Sequence, residues 1–448
     1  MDCINQNQDS YRATTWDSAM SQRSAPLMVV GVWWSAKQAS VPLTVTTQMS
    51  AARLWQLKAL CMQYPGPVSA VLYVGSSKGR VLHENGLLSI MVRQAESLFN
   101  AMEIAGRCKL DLMLVREVFE HKEAKIWYPV NQLRNYARLQ ARTPLIGIID
   151  ADLLVSPTLV KQLIKRDVQK QYLRQLSQLS EKVVYVLPAF QTPAHQHREE
   201  ATLVADRAVS LQKDQLKSWW FKTASSYEVG YESRYEPWVM CDRRSVPWHD
   251  HIFKGYGLNK IMHLEHMNST GYKFMVEPTT FLIHRAHRST HAKNLVISAK
   301  KRQKIAYLPA QPAVPTDASV LPSLGKVREI HQSFTVLQTQ RDVDDRKELS
   351  LVNQAQGEEE GSFGGEEEDE VGPEEVEEHS VAAAAVDESK GRSLLNDEDG
   401  KEESTYAYTQ RLGAMARRRM AAGTYEPHVD AAVRACLERL PWWRISAV

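Results

Sequence analysis

The sequence predicts an α/β fold in which a mixed, mostly parallel sheet is covered by helices. From residue 27 onward, short Val/Ile/Leu runs alternate with helical patterns, which is typical of strands joined by crossover helices. The apolar runs are continuous rather than alternating, as expected for strands that are buried on both faces. At 448 residues and 43% hydrophobic composition, the chain is long enough to bury a large core.

The individual elements follow from these patterns and from the residues that start or stop helices. Strands are predicted at residues 27–33, 68–74, 110–115, 145–149 and 183–187. Helices are predicted at residues 50–62, 85–105 and 129–141, and a fourth helix begins after Ser156, which is placed as its cap. Beyond residue 187, short strands at 238–241, 273–276 and 280–284 predict a mixed second half built onto the sheet.

Charge is distributed unevenly along the chain and indicates its organisation. The net charge is +2, but residues 357–403 contain 19 acidic and 3 basic residues, which leaves 52 basic and 34 acidic residues elsewhere. A basic core attracts anions such as nucleotides, phosphates or acidic glycans. We expect a disordered N-terminus at 1–24, a core domain at 25–340, an acidic disordered linker at 341–404 and a basic, partly helical tail at 405–448.

Cysteine usage and hydropathy exclude several classes of protein. The five cysteines are scattered and lack zinc-type spacing, so neither a structural zinc site nor a disulfide scaffold is expected. No run reaches the roughly 18 apolar residues of a spanning helix, and residues 1–24 lack the apolar core of a secretion signal. We therefore expect no transmembrane segment in this sequence. The basic patch at residues 417–419 is too short to predict nucleic-acid binding.

The most informative local feature is Asp150-Ala151-Asp152, at the end of a predicted buried strand. Ligands of open α/β sheets bind outside the carboxyl ends of the strands. Residues two apart in an extended segment point the same way, so the two carboxylates can hold Mg²⁺ or Mn²⁺ against a diphosphate. An ordinary loop that follows a strand has the same residues, and the two interpretations are about equally supported by this motif alone.

Three further segments carry candidate site residues. His284 ends a short apolar strand, and an imidazole suits Mn²⁺ beside carboxylates. Asp250 and Glu236 are each candidates for a general base that deprotonates an attacking hydroxyl. Gly255 and Gly257 flank an aromatic residue, a spacing that lets the backbone approach a flat ligand. Taken singly, each of these segments also fits a surface histidine, a surface carboxylate or a turn.

In order and spacing, these segments together resemble glycosyltransferase family 49, which comprises the LARGE-type glucuronyltransferase domain and related β-1,4-glucuronyltransferases. The matching segments are YPVNQLRNYA at 128–137, DADLL at 150–154, LPAF at 187–190, YEPWV at 235–239, FKGYGLNK at 253–260 and FLIHRAH at 281–287. The resemblance implies a GT-A fold and an inverting, metal-dependent transfer of a sugar, most plausibly glucuronic acid, from a UDP-sugar to a hydroxyl of a glycan or glycoprotein acceptor.

The resemblance also implies roles for individual residues. Asp150, Asp152 and His284 match the residues that hold Mn²⁺ or Mg²⁺ in the family. Asp250 and Glu236 match acidic positions from which the base is drawn, and Asp250 is preferred. The residues expected to contact the nucleotide sugar lie in three of the matching segments: Asp150, Asp152, Arg134, Asn135, Gly255, Gly257 and Lys260. Family members are Golgi enzymes with an N-terminal membrane anchor. We expect the Golgi by resemblance and the cytoplasm otherwise, since no anchor is visible here.

Two other functions remain as alternatives. A nucleotidyltransferase also places carboxylates beside a parallel sheet, but it needs a glycine-rich loop after the first strand, where this chain has Val32-Trp33-Trp34-Ser35-Ala36-Lys37. A catalytically inactive protein that binds a UDP-sugar or a glycan as a scaffold is the second alternative. Metal-dependent binding of UDP and turnover of a donor separate the scaffold from the enzyme.

Overall fold

The structure is a computed structural model, and it describes residues 2–6, 27–77, 81–119, 127–177, 182–191, 225–285, 395–396, 402–403 and 405–444. The predicted disordered segments at 1–24 and 341–404, and residues 286–340 of the predicted core domain, lie wholly or largely outside these ranges. Within the described part of the chain, no helix is both long enough and apolar enough to cross a membrane.

A nine-stranded sheet forms the centre of the fold, in the order β1-β4-β3-β2-β5-β10-β7-β11-β9, and β6-β12-β8 form a smaller sheet. In chain order the strands are β1 (Met28–Trp33), β2 (Leu43–Ser50), β3 (Pro67–Ser77), β4 (Lys109–Phe119), β5 (Leu145–Ile148), β6 (Leu153–Val155), β7 (Val183–Leu187), β8 (Ala189–Gln191), β9 (Tyr227–Val229), β10 (Trp238–Asp242), β11 (Lys273–Val276), β12 (Leu282–His284) and the short pair β13 (Leu395–Asn396) and β14 (Glu402–Glu403). Six strands of the large sheet run in one direction, and β1, β9 and β10 run against their neighbours.

Helices cover both faces of the large sheet. They are α1 (Asp2–Gln6), α2 (Leu54–Gln63), α3 (Val81–Ile104), α4 (Val130–Gln140), α5 (Pro157–Leu163), α6 (Arg166–Ser177), α7 (Asn259–Ser269), α8 (Thr405–Ala421), α9 (Ala431–Leu437) and α10 (Pro441–Arg444). Successive side chains of β4 point to opposite faces: Leu112 packs in a core with α2 and α3, and Met113 packs in a core with α4 and α9. The predicted fold class, an α/β fold with a mostly parallel sheet covered by helices, is confirmed.

Strand β2 is the main element that the apolar runs did not predict. It lies in the middle of the large sheet, between β3 and β5. Its interior is rich in threonine, and two of the three hydroxyls are paired: Thr44 Oγ1 lies 2.6 Å from Thr143 Oγ1, and Thr46 donates to the Gly147 carbonyl at 3.1 Å. Threonine favours strands because it is β-branched, so its polarity hid this strand from a search for apolar runs.

The expectation about cysteines was wrong, because two disulfides form. Cys3 pairs with Cys436 and Cys61 pairs with Cys108, across sequence separations of 433 and 47 residues. Such separations carry no local spacing signal, so only the fold brings the partners together. Ser156 occupies the N-cap position of α5, as predicted, but its hydroxyl makes no cap hydrogen bond and lies 2.9 Å from Thr280 Oγ1.

The C-terminal helices pack on the core. Asp430 caps α9 by accepting from the Ala432 amide at 2.9 Å, and its other carboxylate oxygen accepts from Gln132 Nε2 at 2.6 Å and from Tyr136 Oη at 2.8 Å. Both α4 residues are buried. Asp430 thus fastens α9 to the helix that covers the centre of the sheet.

Replacing Asp430 with alanine should therefore destabilise the protein strongly. The variant uncaps α9 and leaves two buried donors without their acceptor, so we expect a loss of about 3 kcal/mol in the free energy of unfolding. Urea unfolding measures it. Glu426→Ala, an exposed carboxylate in the same segment, serves as the control and should change the free energy by less than about 0.5 kcal/mol. Equal effects of the two substitutions would contradict the role of Asp430.

Candidate active site

The two aspartates of the motif lie where β5 leaves the sheet. The Ile149 amide still donates to Thr46 of β2 at 3.1 Å, and the chain then turns, with the Leu153 amide donating to the Asp150 carbonyl at 3.1 Å. The turn leads into β6, which pairs antiparallel with β12 so that Leu153 faces His284. The topology therefore brings the motif and the strand-ending histidine to the carboxyl end of β5.

Asp150 is held by two cations and an indole. Arg134 donates to Oδ1 at 3.0 Å, while Trp238 Nε1 at 2.9 Å and Lys260 Nζ at 3.3 Å donate to Oδ2. Removal from water would by itself raise the pKa of Asp150, but Lys260 and Arg134 hold that pKa well below its usual range. Asp150 is therefore ionised, and its single negative charge offsets only one of the two cations, so the three side chains together carry a net positive charge.

Asp152 lies beside His284. Asp152 Oδ2 is 3.5 Å from His284 Nε2, and Trp238 stacks near the imidazole, with ring centroids 6.5 Å apart and planes at 25°. Trp238 also donates to Asp150, so the indole contacts both Asp150 and His284, and Lys260 Nζ lies 4.0 Å from its centroid. The indole of Trp238 is a site residue that the sequence analysis did not select, although it lies inside the YEPWV segment.

Arg134 is aligned by a network of asparagines. Its Nη1 donates to Asn131 Oδ1 at 3.1 Å and to Asn259 Oδ1 at 2.9 Å. The side-chain amide of Asn131, through Nδ2, donates to the backbone carbonyls of Asp250 at 2.8 Å and Asn259 at 3.1 Å. This network ties α4 to the start of α7, so Arg134 and Lys260 reach Asp150 from two helices that are fixed to one another.

Asn135 does not join this group of side chains. Its amide group makes two hydrogen bonds with the backbone of His249, donating to the carbonyl at 2.8 Å and accepting from the amide at 3.0 Å. The side chain is buried. Asn135 therefore holds the loop before α7, and its contact with the nucleotide sugar stays a prediction.

The glycines of the FKGYGLNK segment are needed for backbone conformation. Gly255 has φ 68°, Gly257 has φ 107°, and Leu258, which precedes α7, has φ 58°. A Cβ at Gly257 would meet nothing within 4 Å, so its positive φ, rather than a lack of space, favours glycine. The turn delivers Asn259 and Lys260 to the site, and Tyr256 between the glycines is 44% exposed.

The two candidate bases have different surroundings. Asp250 is 3% exposed, and its carboxylate accepts from Tyr425 Oη at 2.7 Å and from the Ile252 amide at 3.1 Å. Glu236 is exposed, and Lys260 Nζ lies 3.4 Å from its carbonyl oxygen. Lys260 thus contacts both Asp150 and Glu236, whereas Asp250 faces the C-terminal segment. Asp250 is therefore buried and Glu236 is open to solvent, and which of them is the base stays a prediction.

The α/β sheet presents an Asp-x-Asp pair, a strand-ending histidine and two cations at one edge, which is the arrangement that the resemblance to GT-A glycosyltransferases implied. A family model described as "Glycosyl-transferase for dystroglycan" matches residues 89–309, a range that contains all of these residues. This part of the chain therefore matches glycosyltransferase family 49, and the resemblance drawn from the motifs is confirmed.

Individual relatives are similar over about half of the chain. The xylosyl- and glucuronyltransferase LARGE2 of Homo sapiens is 28% identical over 262 residues, which cover 55% of this chain and 33% of the relative. LARGE1 of Danio rerio is 28% identical over 260 residues, which cover 55% and 31%. The match thus spans about a third of the length of these relatives.

Solved structures show only weak likeness. TarS residues 1–349 of S. aureus, in complex with UDP-GlcNAc, has a TM-score of 0.30 at 10% identity, covering 56% of this chain and 60% of that one. GalNAc-T7 with UDP, GalNAc and Mn²⁺ has a TM-score of 0.29 at 11% identity, covering 59% and 48%. These likenesses are too weak to support a statement about function.

Proposed function

We propose that the chain is an inverting, metal-dependent glycosyltransferase that moves glucuronic acid from UDP-glucuronic acid to a hydroxyl of a glycan or glycoprotein acceptor. The proposal rests on one observation at the carboxyl end of β5. There, Asp150 forms ion pairs with Arg134 and Lys260, and Asp152 lies beside His284. This edge of the sheet is where α/β enzymes bind nucleotides. The family's chemistry and the two transferase relatives supply the sugar and the acceptor class.

The donor atoms present suit a divalent cation. Asp152 and His284 place a carboxylate oxygen and an imidazole nitrogen 3.5 Å apart, a pairing that suits Mn²⁺ and is compatible with Mg²⁺. Within the described residues, no three His, Cys, Asp or Glu side chains gather closely enough to hold a metal, so we assign Asp150 as a third ligand only by resemblance. A bound cation would neutralise the charge that develops on the departing UDP.

The cationic side chains have a defined task in this proposal. Arg134 and Lys260 are each only 10% exposed at the side chain and already face a carboxylate. When a diphosphate enters, the same two cations can exchange part of their contact with Asp150 for phosphate oxygens. Preorganised cations at the leaving group stabilise the transition state without reorganising at the moment of reaction.

Glu236 is the proposed general base. It is exposed, and its backbone lies beside Lys260, so its carboxylate can take the proton of an acceptor hydroxyl that attacks near the donor. Tyr235 and Tyr256 are 46% and 44% exposed. Aromatic rings of this kind stack on sugar rings, so we place the acceptor against them.

The compartment that we propose is the Golgi. Two disulfides join residues that are far apart in the sequence, and disulfides persist in secretory compartments but are rare in the cytosol. This favours the Golgi, which the family resemblance implied, over the cytoplasm.

Donor binding tests the proposal. Isothermal titration calorimetry of the full chain against UDP-glucuronic acid, UDP-xylose, UDP-glucose and UDP-GlcNAc in Mn²⁺ should show one preferred donor, and EDTA should abolish its binding. Binding of none of these donors with any metal would contradict the proposal. The scaffold alternative predicts donor binding without turnover.

A further inference from the structure

The C-terminal segment at 405–444, which comprises α8 to α10 and which we name the C-terminal clasp, lies outside the region matched by the family model. It is fastened to the core at several separated points. Cys436 is bonded to Cys3, and Arg417 forms an ion pair with Glu265 of α7 at 2.7 Å. At the far end, Trp442 and Trp443 donate to the Leu139 carbonyl of α4. The C-terminal clasp therefore contacts both α4, which carries Arg134, and α7, which carries Lys260.

Between these points, the clasp reaches Asp250. Tyr425 Oη donates to Asp250 Oδ2 at 2.7 Å, and His428 Nδ1 lies 3.3 Å from the same carboxylate. The His251 amide donates to the His428 carbonyl at 2.9 Å. Burial and the charge of Asp250 hold the pKa of Tyr425 well above its usual range, so the phenol keeps the proton that it donates.

Hydrogen bonds continue from Asp250 to the site. The Asn131 amide donates both to the Asp250 carbonyl and to the Asn259 carbonyl, and Asn259 accepts from Arg134, which holds Asp150. A second contact acts on the same turn: a Cβ at Gly413 of α8 would lie 2.5 Å from Leu258 Cδ1, so α8 packs tightly on the residue before Asn259.

We propose that the C-terminal clasp is part of the catalytic unit, and that Tyr425 acts through Asp250 as a positioning residue for the donor-binding side chains Arg134 and Lys260. Asp250 is then the point at which the clasp holds the turn before α7. This inference rests on the proposed function for its effect on donor binding, but the coupling between the clasp and the turn is independent of that function.

The test compares Tyr425→Phe with Tyr64→Phe. Tyr64 is also buried and also donates a hydrogen bond, to the Leu43 carbonyl at 2.8 Å. Leu43, however, lies at the amino end of β2, beside Leu145, whereas Asp150 follows the carboxyl end of β5. The two variants therefore lose the same chemical group at different places. Thermal unfolding verifies that both remain folded at the assay temperature.

The first readout is amide hydrogen exchange of the full chain, followed by mass spectrometry of peptides that cover residues 251–262. Tyr425→Phe should speed exchange in these peptides, because the hydrogen bond that connects the C-terminal clasp to Asp250 is lost. Tyr64→Phe should leave their exchange unchanged. Unchanged exchange in Tyr425→Phe would overturn the proposal. This readout needs no donor, so it decides the coupling even if the protein binds no UDP-sugar.

The second readout is kinetic and uses the donor that the calorimetry selects. Tyr425→Phe should raise the donor KM about fivefold or more, with a smaller change in kcat, since it displaces cations that bind the donor. Tyr64→Phe should leave both constants near the wild-type values. Faster exchange at residues 251–262 combined with an unchanged KM would remove the link to the donor site and overturn the positioning role.

Discussion

Asp152→Asn should abolish sugar transfer while leaving the protein folded. Asp152 Oδ2 faces His284 Nε2 at 3.5 Å, and the neutral amide loses the charge that holds a divalent cation. Metal stabilisation of a leaving group is worth several kcal/mol, so we expect the rate to fall by about 10³ or more. Coupled detection of released UDP measures the rate, and thermal unfolding verifies the fold.

The matched control for this prediction is Asp242→Asn. Asp242 accepts from the amides of Arg244 and Ser245 in the turn after β10, and it pairs with Leu145 at the opposite edge of the sheet. This variant should keep near wild-type activity. A fully active Asp152→Asn would refute the assignment of the metal ligands.

Glu236→Gln should lower kcat by about 10²- to 10⁴-fold without weakening donor binding. The glutamine cannot accept the proton of the attacking hydroxyl, and general base catalysis contributes an effect of this size. The exposed side chain allows the substitution to be made without loss of packing. Steady-state kinetics with saturating donor, together with calorimetry of donor binding, separate the two effects.

Asp250→Asn and Glu228→Gln complete this comparison. Glu228 is an exposed carboxylate on β9, and its substitution should have no effect. Asp250→Asn should lower the midpoint of thermal unfolding and raise the donor KM, as expected for the buried anchor of the clasp. If Asp250→Asn instead loses about 10³ in kcat at unchanged stability while Glu236→Gln remains active, Asp250 is the base and the assignment made here is wrong.

The sequence predicted the frame of the sheet because most of its strands are runs of apolar residues. Leu145–Ile148 and Val183–Leu187 were found in this way. Two features of the sheet escaped. β2 is threonine-rich, and β10 lies antiparallel between β5 and β7, an order that no local pattern encodes. The fold class therefore followed from hydropathy, whereas the strand order required the tertiary structure.

The candidate site was predictable to the extent that its residues lie in ordered motifs. Asp150, Asp152, His284, Arg134 and Lys260 do, and the structure brings them to one edge of the sheet. The burial of Asp250 was not predictable, because its carboxylate is covered by contacts such as that with Tyr425, 175 residues away. The sequence predicted a basic, partly helical tail at 405–448 but not its contacts with the core, because these contacts join residues that are far apart in the sequence.

The most direct test of the central claim is turnover. The full chain is incubated with the UDP-sugar that it binds best, first with Mn²⁺ and then after addition of EDTA, and released UDP is followed over time. We predict release of UDP, accelerated by a glycan acceptor and lost with EDTA. The contradicting result would be tight, metal-dependent binding of the donor without release of UDP for every acceptor in a broad glycan panel. That result would rule out the enzyme hypothesis and support the scaffold hypothesis.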